Sequence, residues 1–282
     1  MEVQKQIGIF TLDSSESTMK YGLHYYTKMD VPFDSEKRTI RVWLPDDYDF
    51  SNEGKRFPVI YFSDGQNLVN KYLTAFGDWG LDKVAHELLM NKNISFIAVG
   101  IDSPNDDNKR ANELNPPFIP DKAKGFDNPR ADIFTDFIVN KLKPLIDDLF
   151  YTKKDKENTA IGGSSMGGIM AFYGAIRHKE TFGFSLDFSP AFFLYSKRKW
   201  KALLDSFDIS PTNGVKFYFY VGGKGFEHLF IRLTKYTYNY LIEKGFNDRE
   251  TFYIQDEKEK HHEDAWHKYL GDAVAFWLLK NE

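Results

Sequence analysis

The sequence contains no cysteine. Disulfide bonds, thiolate metal sites and cysteine nucleophiles are therefore excluded. The chain also has no excess of positive charge, because its formal net charge is −4 and its lysines are scattered among acidic residues. A polyanion would find no basic face to bind. We therefore expect no nucleic acid partner.

Long apolar segments are missing as well. Residues 1–17 lack the basic patch and apolar core of a secretory signal, and no apolar run reaches the ~20 residues that a membrane-spanning helix needs. These observations predict a cytoplasmic protein without a membrane partner. The length of 282 residues and the hydrophobic content of 42% are ordinary for a large globular domain. We therefore expect a single domain over residues 1–282.

The distribution of apolar residues predicts an α/β fold. Residues 7–12, 21–28 and 39–44 alternate in polarity, as is typical of antiparallel strands at a sheet edge. Residues 57–63 and 94–101 are continuously apolar, as parallel strands covered on both faces are. Further strands alternate with segments of helical spacing. We predict a mostly parallel sheet of about eight strands with helices on both faces.

A Gly-x-Ser-x-Gly motif is formed by Gly163, Ser165 and Gly167. An apolar strand precedes it and a helical segment follows, which is the setting that a nucleophile elbow requires. Glycines on both sides of the serine remove Cβ atoms that would clash in so sharp a turn. We predict that Ser165 is a nucleophile and that the Met166 N–H, at a helix start, helps to hold an oxyanion. An idle serine in a glycine-rich turn is the alternative.

A serine nucleophile needs a general base, and two adjacent histidines, His261 and His262, follow the last predicted strand. This is where the order serine, acid, histidine places the base. A metal site is the competing interpretation. However, His262 and His267 are about 140° apart on a helix, so the zinc pattern H-E-x-x-H fails by one residue. We therefore predict no metal.

Almost the whole chain resembles the putative esterase family of α/β-hydrolases, which includes esterase D, feruloyl and acetylxylan esterases, siderophore esterases and mycolyltransferases. The matching segments are RVWLP at 41–45, VIYFSDGQNL at 59–68, IAVGID at 97–102, GGSSMGG at 162–168 and FSPAF at 188–192, with Arg110, Glu113 and Pro116 between them. The resemblance implies an α/β-hydrolase fold, a serine esterase activity and no cofactor.

The resemblance also implies roles for individual residues. In the family branch with an Asp-Gly-Gln-Asn loop, the sequence His-Asn-Glu-x-x-Trp follows the last strand, and its first histidine is catalytic. The matching position here is His261, which we prefer to His262 as the base. The same branch implies that the backbone N–H of Gln66, or of its neighbour Gly65, is the second oxyanion donor beside Met166.

The acid of the catalytic triad is where this sequence departs from the family. The family has a carboxylate in the turn after the penultimate strand, and the corresponding residue here is Gly225. Glu227, two residues later, is the first candidate, provided that the turn is rebuilt. Asp256 and Glu257 are alternatives, and the acid could also be absent. The acid orients the histidine, and its loss can cost ~10⁴ in kcat.

We therefore predict a serine carboxylic-ester hydrolase that forms an acyl-enzyme. Its substrate would be a small acyl ester, such as an acetylated or aromatic-acylated sugar. An acyltransferase of the same fold and a catalytically silent binding protein are the alternatives. Candidate pocket walls are residues 115–130, a segment rich in proline, glycine and charge, and the pair Phe192 and Phe193. Ordinary surface and core packing would explain these segments equally well.

Overall fold

The computed structural model describes residues 4–74, 77–117 and 126–279. Its strands are β1 (Gln6–Ile7), β2 (Phe10–Leu12), β3 (Leu23–Met29), β4 (Arg38–Leu44), β5 (Val59–Ser63), β6 (Ile97–Ile101), β7 (Thr159–Ser164), β8 (Phe184–Phe188), β9 (Lys216–Gly222) and β10 (Thr251–Asp256). They form one sheet in the order β1-β2-β3-β4-β6-β5-β7-β8-β9-β10. Strands β1 to β4 pair in antiparallel fashion, and β5 to β10 pair in parallel.

The described helices are α1 (Leu81–Lys92), α2 (Asp107–Leu114), α3 (Ala131–Phe137), α4 (Lys143–Leu149), α5 (Met166–Arg177), α6 (Lys197–Asp205), α7 (His228–Glu243) and α8 (Glu263–Leu278). None of these helices is long and apolar enough to cross a membrane. A π-helical turn, Ile138–Leu142, joins α3 to α4.

Two apolar cores lie on opposite faces of the sheet. Successive residues of β5 enter different cores, because side chains along a strand alternate: Tyr61 packs with helices α3 to α7, whereas Ile60 and Phe62 pack with α1 and α8. Strands β5 to β8 are buried along their whole length. The continuous apolar runs in the sequence follow from this two-sided burial.

The predicted α/β class, with a mostly parallel sheet and helices on both faces, is confirmed. The sheet has ten strands where about eight were expected. Part of the difference lies at the N-terminal edge, where residues 7–12 form two short strands instead of one. Gly8 separates them at φ 54°, a left-handed conformation that glycine adopts without steric cost. The strand therefore reverses at this point.

Two short helices were not predicted from the sequence. Helix α2 begins after Asp106, whose carboxylate accepts hydrogen bonds from the backbone N–H groups of Asn108 and Lys109 at 2.8 and 3.0 Å. Helix α6 begins after Ser196, whose hydroxyl accepts from the Lys199 N–H at 3.4 Å. Both helices have standard N-cap residues but are only 8 and 9 residues long. Helices this short contain too few apolar residues to show a helical period in the sequence.

Candidate active site

Ser165 lies in the sharp turn between β7 and α5. Its backbone has φ 57° and ψ −118°, a conformation that is costly for a residue with a Cβ. The turn is tight enough that a Cβ on Gly163 would approach the carbonyl carbon of Gly167 to 2.5 Å. Backbone hydrogen bonds of 2.9 Å, from Ser165 N–H to Phe188 O and from Ala191 N–H to Ser165 O, hold the serine in place. The elbow is therefore tied to the end of β8.

His261 and Glu227 lie in contact. The Nδ1 atom of His261 is 3.1 Å from Oε1 of Glu227, which is fully buried. The Ser189 hydroxyl donates to the same oxygen at 2.5 Å, and Trp266 Nε1–H donates to the Ser189 hydroxyl at 3.2 Å. An ionised carboxylate can only accept hydrogen bonds, so the proton belongs on Nδ1 and the lone pair on Nε2. This is the tautomer that a general base requires.

The turn after β9 explains how Glu227 reaches the histidine. A single 3₁₀ turn, Gly225–Glu227, follows the strand and directs the glutamate side chain inward. Two backbone N–H groups, of Gly223 and Lys224, donate to the carbonyl oxygen of Glu259 at 3.2 and 2.9 Å. The loop that carries Glu227 is thus bonded to the loop that leads to His261. The rebuilt turn that the sequence required for Glu227 is present.

The other candidate residues of this region have different contacts. Asp256 accepts a hydrogen bond from the Tyr269 hydroxyl at 2.6 Å, and Glu257 accepts one from the Gln255 side chain. The structure does not bring either carboxylate to His261. The ring of His262 accepts from the Asp264 N–H at 3.2 Å and so caps α8.

Two backbone N–H groups near Ser165 belong to the starts of helical turns. Met166 is the first residue of α5, and Gln66 is the second residue of a 3₁₀ turn, Gly65–Asn67. The first N–H groups of a helix have no intrahelical acceptor and carry the positive end of its dipole. The Gln66 side chain is used elsewhere, because its Oε1 accepts from the Ser103 N–H at 3.0 Å. These are the positions predicted for the oxyanion donors.

Asp64 precedes Gly65 and is a structural residue. Its oxygens accept hydrogen bonds of 2.6 and 2.9 Å from Nε and Nη2 of Arg110, and one from the Ser103 hydroxyl. Burial raises the pKa of Asp64, but the charge and hydrogen bonds of Arg110 outweigh burial and leave the pKa below its usual value. Asp64 is therefore ionised and holds its loop against α2.

A cavity of about 500 Å³ opens beside Ser165 and His261. Its lining is mostly polar: Arg41, Asp64, Gln66, Asn67, Leu73, Thr74, Asp102, Ser103, Pro104, Asn105, Asp107, Arg110, Ser164, Ser165, His261, His262, Glu263 and Trp266. A pocket of this size suits a small ligand, and its lining favours a polar one. Within the described ranges, no group of side chains could hold a metal ion.

Phe192, Phe193 and the described parts of the other predicted wall, 115–117 and 126–130, are not part of this lining. Phe192 is fully buried and stacks on Trp200 with ring centroids 4.2 Å apart. Phe193 packs against Phe230, with ring centroids 4.7 Å apart. Of the other predicted wall, residues 118–125 lie outside the described residues. Phe192 is thus a core residue, because the turn after β8 directs it inward.

Several residues of the site were missed by the sequence analysis. Ser189 and Trp266 connect to Glu227, and Phe230 stacks on the His261 ring with centroids 4.5 Å apart. Ser189 and Trp266 belong to segments that match the family, which was the available signal. Nothing in the spacing of Phe230, in the first turn of α7, distinguishes it from a core residue.

Known proteins resemble this chain in sequence and in fold. Residues 35–277 match the family described as Putative esterase. An endo-1,4-beta-xylanase/feruloyl esterase from Xylanibacter ruminicola is 28% identical over 158 residues, which are 52% of this chain and 19% of that protein. The chain therefore spans about a fifth of the length of this curated relative.

Solved structures with low sequence identity share the fold. A siderophore hydrolase from Aspergillus nidulans superposes with a TM-score of 0.70 at 18% identity, covering 90% of this chain and 94% of that one. A ferulic acid esterase from Anaeromyces mucronatus superposes with a TM-score of 0.65 at 18% identity, covering 96% and 97%. Because the family match extends over most of the sequence, the chain belongs to the Putative esterase family, and its fold is the α/β-hydrolase fold that these solved esterase structures share.

Proposed function

We propose that the protein hydrolyses carboxylic esters with Ser165 as the nucleophile, His261 as the general base and Glu227 as the orienting acid. The observation that carries this proposal is the hydrogen-bonded series from Trp266 through Ser189 and Glu227 to His261. It ends at the cavity that Ser165 also lines. A histidine fixed on its Nδ1 side leaves Nε2 available for the serine proton.

In the proposed reaction, His261 Nε2 takes the Ser165 proton as the hydroxyl oxygen attacks the ester carbonyl carbon. The backbone N–H groups of Met166 and Gln66 stabilise the negative oxygen of the tetrahedral intermediate. His261 then gives the proton to the leaving alcohol, and an acyl-enzyme remains. A water molecule, deprotonated by His261, attacks the acyl carbon and releases the acid. Ser165 recovers its proton.

The substrate we propose is a small ester with polar substituents. Charged and amide side chains make up much of the cavity lining, and Trp266 is its one aromatic member among the described residues. The names of the relatives add ferulate and siderophore esters to the candidates. An acetylated or feruloylated sugar has the required size and hydroxyl groups.

The test compares hydrolysis of p-nitrophenyl acetate and butyrate by the wild type, Ser165→Ala, His261→Ala and His262→Ala. We expect Ser165→Ala and His261→Ala to lose at least ~10³-fold in kcat. The His262→Ala variant is the matched control, because its ring caps α8 and is 44% exposed. Turnover by Ser165→Ala at the wild-type rate would refute the proposal.

A further inference from the structure

Glu263 is a buried carboxylate in the wall of the active-site cavity. It is the first residue of α8, two positions after His261, and only 5% of its surface is exposed. Within the part of the chain that the structure describes, no cation forms an ion pair with it, and no side chain donates a hydrogen bond to it. A buried carboxylate in this condition is unusual, because such groups are normally paired.

The arginines of the cavity are bound to other carboxylates. Arg41 is bound to both carboxylate oxygens of Asp102 at 2.7 and 2.8 Å. Arg110 is bound to both oxygens of Asp64 in the same bidentate manner and acts on Glu263 only through space. Each guanidinium is therefore matched by its own carboxylate. Among the described residues, Glu263 has no ion pair of its own.

The surroundings of Glu263 shift its pKa. Burial raises the pKa of Glu263 to about 6, and the nearby carboxylates of Asp64 and Asp264 add to that rise, while a hydrogen bond from its own backbone N–H and the neighbouring His262 act in the opposite direction. At neutral pH the side chain is mostly ionised. It therefore presents acceptor oxygens, to which no described side chain donates, to whatever fills the cavity.

We propose that Glu263 determines specificity by binding hydrogen-bond donors of the substrate, either hydroxyl or ammonium groups, and by repelling a substrate carboxylate. This inference rests on the proposed function, because it requires that the ester enter the cavity beside Ser165. A donor group of the substrate supplies the hydrogen bond that no described side chain supplies. A carboxylate at the same place meets a like charge.

The magnitude of the effect follows from the charge of Glu263. A hydrogen bond to a charged group changes affinity by about 10- to 100-fold when one partner is removed. The amide of Glu263→Gln still accepts a hydrogen bond but carries no charge. A substrate ammonium group therefore loses more affinity than a hydroxyl group does in Glu263→Gln. This difference distinguishes the two kinds of donor.

The experiment uses p-nitrophenyl benzoates that carry methyl, hydroxymethyl, aminomethyl or carboxylate at the para position, assayed at pH 8. The wild type should prefer the hydroxymethyl or aminomethyl ester to the methyl ester and should discriminate against the carboxylate. In Glu263→Gln, the ratio of kcat/KM for the aminomethyl ester to that for the carboxylate ester should fall at least ~10-fold. Glu257→Gln, an exposed change on the preceding loop, is the control and should keep the wild-type ratios.

Binding is measured in parallel so that the inference does not depend on turnover. The four matching benzamides, which lack the reactive ester, are titrated into Ser165→Ala with and without Glu263→Gln. The same ranking in both proteins would overturn the role of Glu263 while leaving the proposed function intact. Ester hydrolysis that does not depend on Ser165 would instead overturn the proposed function, and the benzamide ranking would still decide the role of Glu263.

Discussion

Two buried glutamates lie near His261, and their carboxylates have different partners. One oxygen of Glu227 receives hydrogen bonds from Ser189 and His261, whereas its other oxygen is buried without a partner among the described residues. Glu263 lies in the cavity wall with no described side chain bound to its carboxylate. The first arrangement fixes the orientation of the His261 ring. The second leaves acceptor oxygens at the cavity.

The strongest test of this comparison is the removal of charge from Glu227. We expect Glu227→Gln to lower kcat by ~10³ to 10⁴, because the amide would hold the wrong histidine tautomer. The measurement is kcat with p-nitrophenyl acetate, together with circular dichroism to verify folding. Asp256→Asn, in which the hydrogen bond to Tyr269 is weakened instead, should stay within about twofold. Equal losses in both variants would contradict the assignment of Glu227.

A smaller effect is expected from Ser189, which positions Glu227 without touching substrate. Ser189→Ala removes one donor to Glu227 and leaves Trp266 Nε1–H without its acceptor, so we expect a loss of ~10- to 100-fold in kcat with little change in KM. Ser185→Ala is the matched control, because Ser185 is a buried serine of β8, the strand that ends just before Ser189, and it donates to Asp187 at 2.6 Å. A comparable loss in Ser185→Ala would indicate general destabilisation.

The pH dependence of the preference between two esters is a third test of the role of Glu263. Because the pKa of Glu263 is about 6, its charge disappears as the pH falls from 7 to 5. The preference for the aminomethyl over the methyl ester should then decrease by up to ~10-fold across this interval. The ratio cancels every effect of pH that acts on both esters alike. A ratio that does not vary with pH would show that Glu263 does not contact the substrate.

The smallest effect concerns stability. The pKa of Glu263 is raised from 4.5 to about 6 on folding, so ionisation destabilises the folded state as the pH rises from 4.5 through 6. Glu263→Gln removes this penalty, and we expect it to increase the free energy of unfolding by about 1 to 2 kcal/mol at pH 8. Urea denaturation of the wild type and of Glu263→Gln at pH 8 and at pH 4.5 measures this difference in the free energy of unfolding. The gain should vanish at the lower pH.

The turn at Ser165 was predicted better than the residues around it, because the turn is defined by neighbouring residues and its surroundings by contacts between distant loops. Glycines around Ser165 and the apolar run of β7 are local features that a short segment reveals. The contact between Glu227 and His261 depends on two loops 34 residues apart and on a rebuilt turn, so spacing alone left Asp256 and Glu257 open. The break between β1 and β2 was not predicted, because it depends on the left-handed conformation of a single residue, Gly8.

The roles of Ser189 and Phe230 could not be read from local patterns. Neither residue is marked by its local sequence. The role of Ser189 comes from its hydrogen bond to Glu227, and the role of Phe230 comes from its stacking on the His261 ring. The same holds for Glu263, whose lack of a partner is visible only when the whole cavity lining is known. Whether a carboxylate has a hydrogen-bond partner is decided by the folded site and not by the local sequence.

The left-handed backbone of Ser165 has a consequence for how this position is maintained. Glycine would adopt φ 57° with less strain than serine does, so folding alone favours glycine there. The hydroxyl at this position therefore comes with a conformational cost that the fold by itself does not require. Ser165→Gly would lose the hydroxyl and relieve that cost, so stability and chemistry make opposite demands on this residue.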